Sequence, residues 1–129
     1  GIQMNTELIY KLLQKIPRGK VTTYKALAVA AGNPKAARAV GSTLKRNKHL
    51  IKIPCHRVVR SDGSVGGYVL GPTKKIQLLQ EEGIEIRNGK IEKRFIIGNI
   101  SKYAWNKNYQ KYYWYLLSQA LLFIMWVCA

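Results

Sequence analysis

Most of the reactive chemistry in this chain lies in six consecutive residues, Ile53-Pro54-Cys55-His56-Arg57-Val58. A thiol attacks as its thiolate, and an adjacent imidazole or cation favours that form. Cys55 is followed at once by His56 and Arg57 in a strongly basic stretch, so one reading is an activated nucleophile. The other is a small buried hydrophobe, the common fate of a lone cysteine. Beyond this run the chemistry thins out. The only other histidine is His49 and the only other cysteine Cys128, and no Cys/His spacing suits zinc. Neither a metal nor a cofactor is expected, and two cysteines in 129 residues do not form a disulfide framework.

The charge balance names a partner. Lys and Arg number 22 against 6 acids, a net charge of +16 with a pI near 10.1. Such an excess points to a polyanion, nucleic acid above all. It is unevenly placed: thirteen basic residues and no acid occur from Leu8 to Ser61. At 47% hydrophobic the chain has material for a core, which excludes a disordered segment. Aromatics concentrate at the other end, with nine of thirteen in Ser101–Ala129. That shift sets a boundary near Ile100. There is no internal repeat, no flexible linker and no signal peptide pattern.

The elements that must position Cys55 read as mostly α. Asn5/Thr6 can cap a helix with Ile9, Leu12, Leu13 and Ile16 on one face, ended by Pro17-Arg18-Gly19. Thr22/Thr23 caps a second helix, Tyr24–Ala31, closed by Gly32. Asn33-Pro34 reads as a cap with Pro at the first helical position, opening a third helix over Lys35–Arg46. Two short helices across that turn make a helix-turn-helix with the third as recognition helix. A loop, Asn47–Cys55, leads to a short extended piece at Arg57–Arg60 and a turn at Ser61-Asp62-Gly63. Gly71-Pro72 opens a helix through Glu82, with Gly83 as C-cap, and Asn88-Gly89 marks a hairpin between Ile84–Ile86 and Lys90–Glu92.

The recognition helix is bare on one side. Ala36, Ala37, Ala39, Gly41 and Ser42 let its backbone approach a partner closely, and Arg38 is the one long cation among them. A narrow groove of DNA would suit such a face, and so would another helix packed against it.

Pro-Cys-His-Arg-Val is the active-site motif of the O6-alkylguanine-DNA alkyltransferases, and the chain strongly resembles that family over Ile16–Gly83. The resemblance runs through Pro-Arg-Gly-Lys-Val-Thr-Thr-Tyr (17–24), Ala-Gly-Asn-Pro-Lys-Ala-Ala-Arg-Ala-Val-Gly (31–41), Lys-Arg-Asn (45–47), Ile-Pro-Cys-His-Arg-Val-Val (53–59), Gly-Gly-Tyr (66–68) and Glu-Glu-Gly (81–83). It implies a winged-helix-like helix-turn-helix domain with a small hairpin. It also implies single-turnover DNA repair, in which the alkyl group on O6 of guanine passes irreversibly to Cys55 without a cofactor.

Roles follow by matching residues. Cys55 matches the acceptor, His56 the histidine that deprotonates it through a water, and Glu82 the carboxylate that orients the histidine, with triad logic. Asn47 matches the asparagine that ties the helix-turn-helix to the active-site loop. Tyr24 matches the tyrosine that donates toward the guanine O6. Tyr68 matches the aromatic over the base pocket, and the carbonyls of Cys55 and Val58 match those that accept from the exocyclic amine. The target base must be turned out of the duplex, and Arg38 matches the arginine that fills the vacated space while the bare helix lies in the minor groove. Lys35, Lys45 and Arg46 are candidate phosphate contacts beside Ala37 and Gly41.

There are three departures. Val69 stands where the family often has a small polar residue, which should alter substrate range rather than activity. The family's usual N-terminal domain is missing, and with it any zinc site it carries in some members. Ser101–Ala129 resembles nothing in the family. Residues 1–100 are thus expected to form the DNA-binding and catalytic domain, and 101–129 an aromatic-rich hydrophobic tail. Its last eighteen residues carry no charge. The expectation is a helix packed on the domain or on a second copy, giving self-association, rather than a membrane anchor. The expected partner is double-stranded DNA carrying O6-alkylguanine, in the cytoplasm and nucleoid of a prokaryote. Two further function classes stay open: a non-enzymatic alkyltransferase-like lesion binder, whose hallmark is loss of the acceptor cysteine, and a helix-turn-helix regulator.

Overall fold

The computed structural model describes residues 5–128; at 105–113 it describes the helical backbone but not the side chains. Residues 1–4 and 129, at the outer ends of the two expected segments, lie outside the described residues. Helix α1 (Thr6–Leu13) begins where the Asn5 side chain accepts from the Leu8 N–H at 3.1 Å, and it buries Ile9, Leu12 and Leu13. Strand β1 (Val21–Thr23) follows, and its last residue caps α2 (Tyr24–Ala30): Thr23 Oγ1 accepts from the Ala26 N–H at 3.0 Å. Helix α3 (Ala37–Lys45) packs on α2 through Ala36, Val40 and Leu44. Ile9, Leu13, Leu27 and Val40 form the centre of this three-helix core, with α2 and α3 as the helix-turn-helix.

The start of α3 corrects the sequence reading. Asn33-Pro34 does not cap the helix. Instead the Ala36 N–H donates to the Asn33 carbonyl at 3.1 Å and closes a separate turn, and α3 begins after Ala36 with no side-chain cap.

A three-stranded parallel sheet, which the sequence reading did not anticipate, joins this core to the rest. Its order is β2 (Val58–Val59), β1, β5 (Ile96–Ile97). The register pairs Thr22 with Val58, Thr23 with Val59, and Val21 with Ile96. All three residues of β1 are buried, as a central strand covered on both faces requires. Thr22 satisfies its buried hydroxyl by donating to the Ile97 carbonyl at 2.8 Å. Helix α4 (Pro72–Glu81) and the hairpin β3 (Ile86–Arg87) to β4 (Lys90–Ile91) enclose a second core of Val21, Val59, Val65, Leu79, Ile84 and Ile91. The hairpin turn carries positive φ at Asn88 (53°) and Gly89 (73°), as a tight two-residue turn demands.

Helix α5 (Ile100–Cys128) is docked at its start, where Ile100 is buried and Tyr103 and Ala104 are partly covered. Asn99 caps it by accepting from the Lys102 N–H at 2.9 Å. From Trp114 to Cys128 every residue is exposed, from Leu117 at 38% to Trp126 at 77%. The expectation of a tail packed on its own domain is therefore corrected. Apolar residues surround the helix on all sides, so no single face is selected for burial. Among the described residues, no helix is long and apolar enough to cross a membrane.

Candidate active site and nucleic-acid interface

Cys55 opens a single 3-10 turn, Cys55–Arg57, between the loop after α3 and β2. Its thiol is buried at one end of an open cavity of about 520 Å³. One wall is the exposed side of α3, with Ala37, Arg38, Gly41, Ser42 and Lys45. Tyr24, Arg60, Gly67, Tyr68 and Val69 complete the lining from other elements. Of the small residues of this segment, Ala37, Gly41 and Ser42 open onto the cavity, whereas Ala36 and Ala39 pack against the core with Val40 and Leu44. Gly66, at φ +75°, lets the chain pass close to Tyr24: a Cβ there would sit 3.2 Å from the tyrosine oxygen.

Several side chains converge on the thiol and on the residue after it. Asn47 is buried, and its amide donates to the Ile53 carbonyl at 2.9 Å and to Cys55 Sγ at 3.3 Å, while its oxygen accepts from the His49 N–H. His56 is fully buried and donates from Nε2 to Glu82 Oε1 at 2.8 Å. Its Nδ1 has no protein partner among the described residues. Glu82 is also gripped by Arg57, from Nε to Oε2 at 2.9 Å and from Nη2 to Oε1 at 2.8 Å. Arg57 Nη1 reaches the Ile16 carbonyl, so one side chain ties the end of α1 to the end of α4.

The electrostatics differ from the sequence reading in one respect. Cations beside Cys55 were expected to lower its pKa, but burial prevails and raises it, against the Asn47 hydrogen bond and the charge of Lys75. Arg57 is committed to Glu82 and contributes no unpaired charge. Burial also lowers the pKa of His56, outweighing the opposing pull of Glu82 and keeping the imidazole neutral near pH 7. Burial pushes the Glu82 carboxyl up, but the hydrogen bonds and charges of Arg57 and His56 bring it below its ordinary value. The site thus stores a protonated thiol beside a neutral imidazole held by an ionised carboxylate.

Lys75 was not foreseen. It is fully buried on α4, and its ammonium donates to the Val58 carbonyl at 2.5 Å and to the Gly67 carbonyl at 3.1 Å, 5.8 Å from the centre of the Tyr24 ring. Burial lowers its pKa to about 8. One sequence signal could have found it: Lys75 lies four residues before Leu79 and seven before Glu82, on the inward face of α4. Arg60 was also passed over, and Arg57 was read as a charge beside the thiol and not as the partner of Glu82.

The cavity brings together Cys55, Tyr24, Tyr68, Val69, Arg38, Ala37, Gly41 and Lys45. His56, Glu82 and Asn47 stand behind the thiol, and Val58 presents its carbonyl to Lys75. Lys35 and Arg46 are exposed and do not line the cavity.

Comparison with known proteins agrees with this geometry. Residues 5–84 match the model of the family described as 6-O-methylguanine DNA methyltransferase, DNA binding domain. A bifunctional methyltransferase/endonuclease of Picrophilus torridus is 54% identical over 92 residues, 70% of this chain and 31% of that protein. The methylated-DNA–protein-cysteine methyltransferase of Rattus norvegicus is 51% identical over 79 residues, 60% of this chain and 38% of that protein. The chain thus spans about a third of the length of these two relatives. Among solved structures, S. pombe Atl1 in complex with damaged DNA containing O6-carboxymethylguanine superposes with a TM-score of 0.66 at 28% identity, covering 74% of this chain and 98% of that one.

Proposed function

The chain belongs to the 6-O-methylguanine DNA methyltransferase family, and on that premise we propose that it repairs O6-alkylguanine in double-stranded DNA by moving the alkyl group irreversibly to Cys55, once per molecule. The observation that carries this reading is the thiol of Cys55 at the end of a cavity walled by a basic, small-residue helix, with a neutral His56 held by Glu82 behind it.

The geometry supports the following assignment of roles. With Nε2 donating to Glu82, Nδ1 of His56 is the nitrogen left to take the thiol proton, through an intervening water. Glu82 stabilises the resulting imidazolium. The thiolate sulfur attacks the alkyl carbon; the S–C bond forms as the C–O6 bond breaks and its electron pair goes to the guanine. Tyr24, facing the cavity, donates toward O6. The guanine leaves with a proton in exchange for the one the thiol gave up, so the base departs neutral. Asn47 holds the sulfur and Tyr68 and Val69 cover the base, while the Val58 carbonyl can receive its amine only through the lone pair that Lys75 leaves free. Arg38, with Ala37 and Gly41, faces the minor groove and the space the base vacates, and Lys45 is a phosphate contact at the cavity rim. Lys35 and Arg46 serve as phosphate contacts outside it. No cofactor enters this scheme. Residues 1–100 act as the DNA-binding and catalytic unit, and the place of action is wherever the cell keeps its DNA.

Cys55→Ala should keep the fold and DNA binding while abolishing transfer. Intact mass after incubation with O6-methylguanine DNA decides it: the native chain should gain one methylene, about 14 mass units. Gain by the alanine variant would reject Cys55 as acceptor. A native chain that binds lesion DNA without gaining mass would be a non-enzymatic lesion binder, and the acceptor thiol argues against that outcome.

A further inference from the structure

Arg60 leaves the sheet beside Tyr24. Strands β1 and β2 run parallel, and Thr23 pairs with Val59, so the next residue of each strand, Tyr24 and Arg60, emerges at the same end of the sheet. The main chain of Arg60 is fixed: its N–H donates to the Ser64 carbonyl at 2.9 Å, and its carbonyl accepts from the Gly63 N–H at 2.9 Å. Gly63 in turn lies against the hairpin so closely that a Cβ there would be 2.7 Å from the Ile91 carbonyl oxygen. The root of the side chain is therefore rigid.

The guanidinium is exposed and, among the described residues, makes no ion pair. Asp62, the acid next to it in sequence, is engaged by Ser64, from its N–H at 2.9 Å and its hydroxyl at 2.6 Å. Arg60 lines the cavity, and its charge is felt at two inner groups, opposing burial at Tyr24 and reinforcing it at Lys75. Arg38 and Lys45 of α3 line the same cavity, also without an ion pair among the described residues. The lining thus carries three cations from two elements of the chain.

A base turned out of a duplex brings its sugar and both flanking phosphates to the mouth of the pocket that receives it. Cations on α3 reach the backbone from one side only. The fork of an arginine matches phosphate oxygens in pairs. We propose that Arg60 binds a phosphate flanking the extruded nucleotide, gripping the backbone from the end of β2 and not from α3. This rests on the reading of the cavity as the pocket for alkylguanine, and it adds a DNA contact outside the helix-turn-helix.

The test compares native protein with Arg60→Ala and Arg60→Lys on two substrates: a duplex with one O6-methylguanine, and free O6-benzylguanine, which has no phosphate. Rates of Cys55 alkylation are read by intact mass between about 50 and 200 mM salt. For Arg60→Ala the duplex rate should fall on the order of tenfold at low salt, with the log–log salt slope shallower by about one unit. The free-base rate should fall much less than the duplex rate, and Arg60→Lys should recover part of the duplex loss. An unchanged duplex rate and slope would make Arg60 a solvated cation and overturn the proposal. Equal losses on both substrates would overturn it too, by moving Arg60 to the chemistry through Tyr24. If the native protein is alkylated by neither substrate, the alkylguanine reading falls and takes this proposal with it; the other outcomes leave that reading standing.

Discussion

Lys75 carries a charge into the interior with backbone carbonyls, not a carboxylate, as its partners. In water a lysine titrates near 10.5; here burial brings it to about 8. Between those values the unfolded chain holds a proton that the folded chain has lost. The unfolded state then binds more protons, so this residue makes stability rise with pH from about 8 to about 10.5, and its cost is complete below 8. Cys55, whose pKa is raised, acts in the opposite sense as pH rises past its unfolded value. Comparison with Lys75→Met separates the two. From pH 7 to pH 10.5 the native chain should gain on the order of 3 kcal/mol relative to the variant, measured by denaturant unfolding. A flat difference would mean that the ammonium is better solvated than its burial implies. At this scale the Cys55-His56-Arg57 run was legible because it is contiguous. Lys75 was not, because a lysine on a helix reads as solvated until its face of the helix is known. Arg57 was read as a charge near the thiol, whereas its partner Glu82 is twenty-five residues away.

Helix α3 divides its labour by face, and Gly41 sits on the side that lines the cavity. A Cβ at Gly41 would meet only the edge of the Tyr24 ring at 3.9 Å, an ordinary contact. Gly41→Ala should therefore stabilise the fold by about 0.5–1 kcal/mol through helix propensity. On the proposed function it should also weaken binding to duplex DNA, because the added methyl stands where the backbone approaches the groove. Thermal melting and a DNA titration on the same variant check both halves; unchanged affinity would leave the small residues without a role in DNA approach. Elements bounded by strong local signals were readable in advance, such as α4 behind Gly71-Pro72 and the hairpin about Asn88-Gly89. Strands β1 and β5 were not, since two or three residues are too few to show alternation and their pairing joins distant segments. The start of α3 was misplaced because Asn33-Pro34 has the composition of a cap but serves a turn.

At the scale of the molecule, the domain is followed by a helix whose residues 114–128 are all exposed. Aromatic content suggested burial, but burial requires a face, and apolar residues on every side of α5 give none. Removal of 114–129 should shift the melting temperature by no more than about 2 °C, whereas Ile100→Ala, at the docked start, should cost about 2–5 kcal/mol. The truncated chain should also associate less at high concentration, read by light scattering, because it loses a large exposed apolar surface. A large drop in melting temperature would show that the distal helix supports the domain. The pairing of β1 with β5 has a consequence for the order in which the protein comes into being. Thr22 and Ile97 are joined across seventy-five residues, and every group assigned to the site lies inside that loop. A contact of such separation bears its closure entropy before it returns anything, which makes folding slow and cooperative. During synthesis Cys55 emerges some forty residues before the strand that completes the sheet. On the proposed function, the nascent chain therefore carries Cys55 as an ordinary thiol, and its selective reactivity arrives late, when the sheet closes around β1.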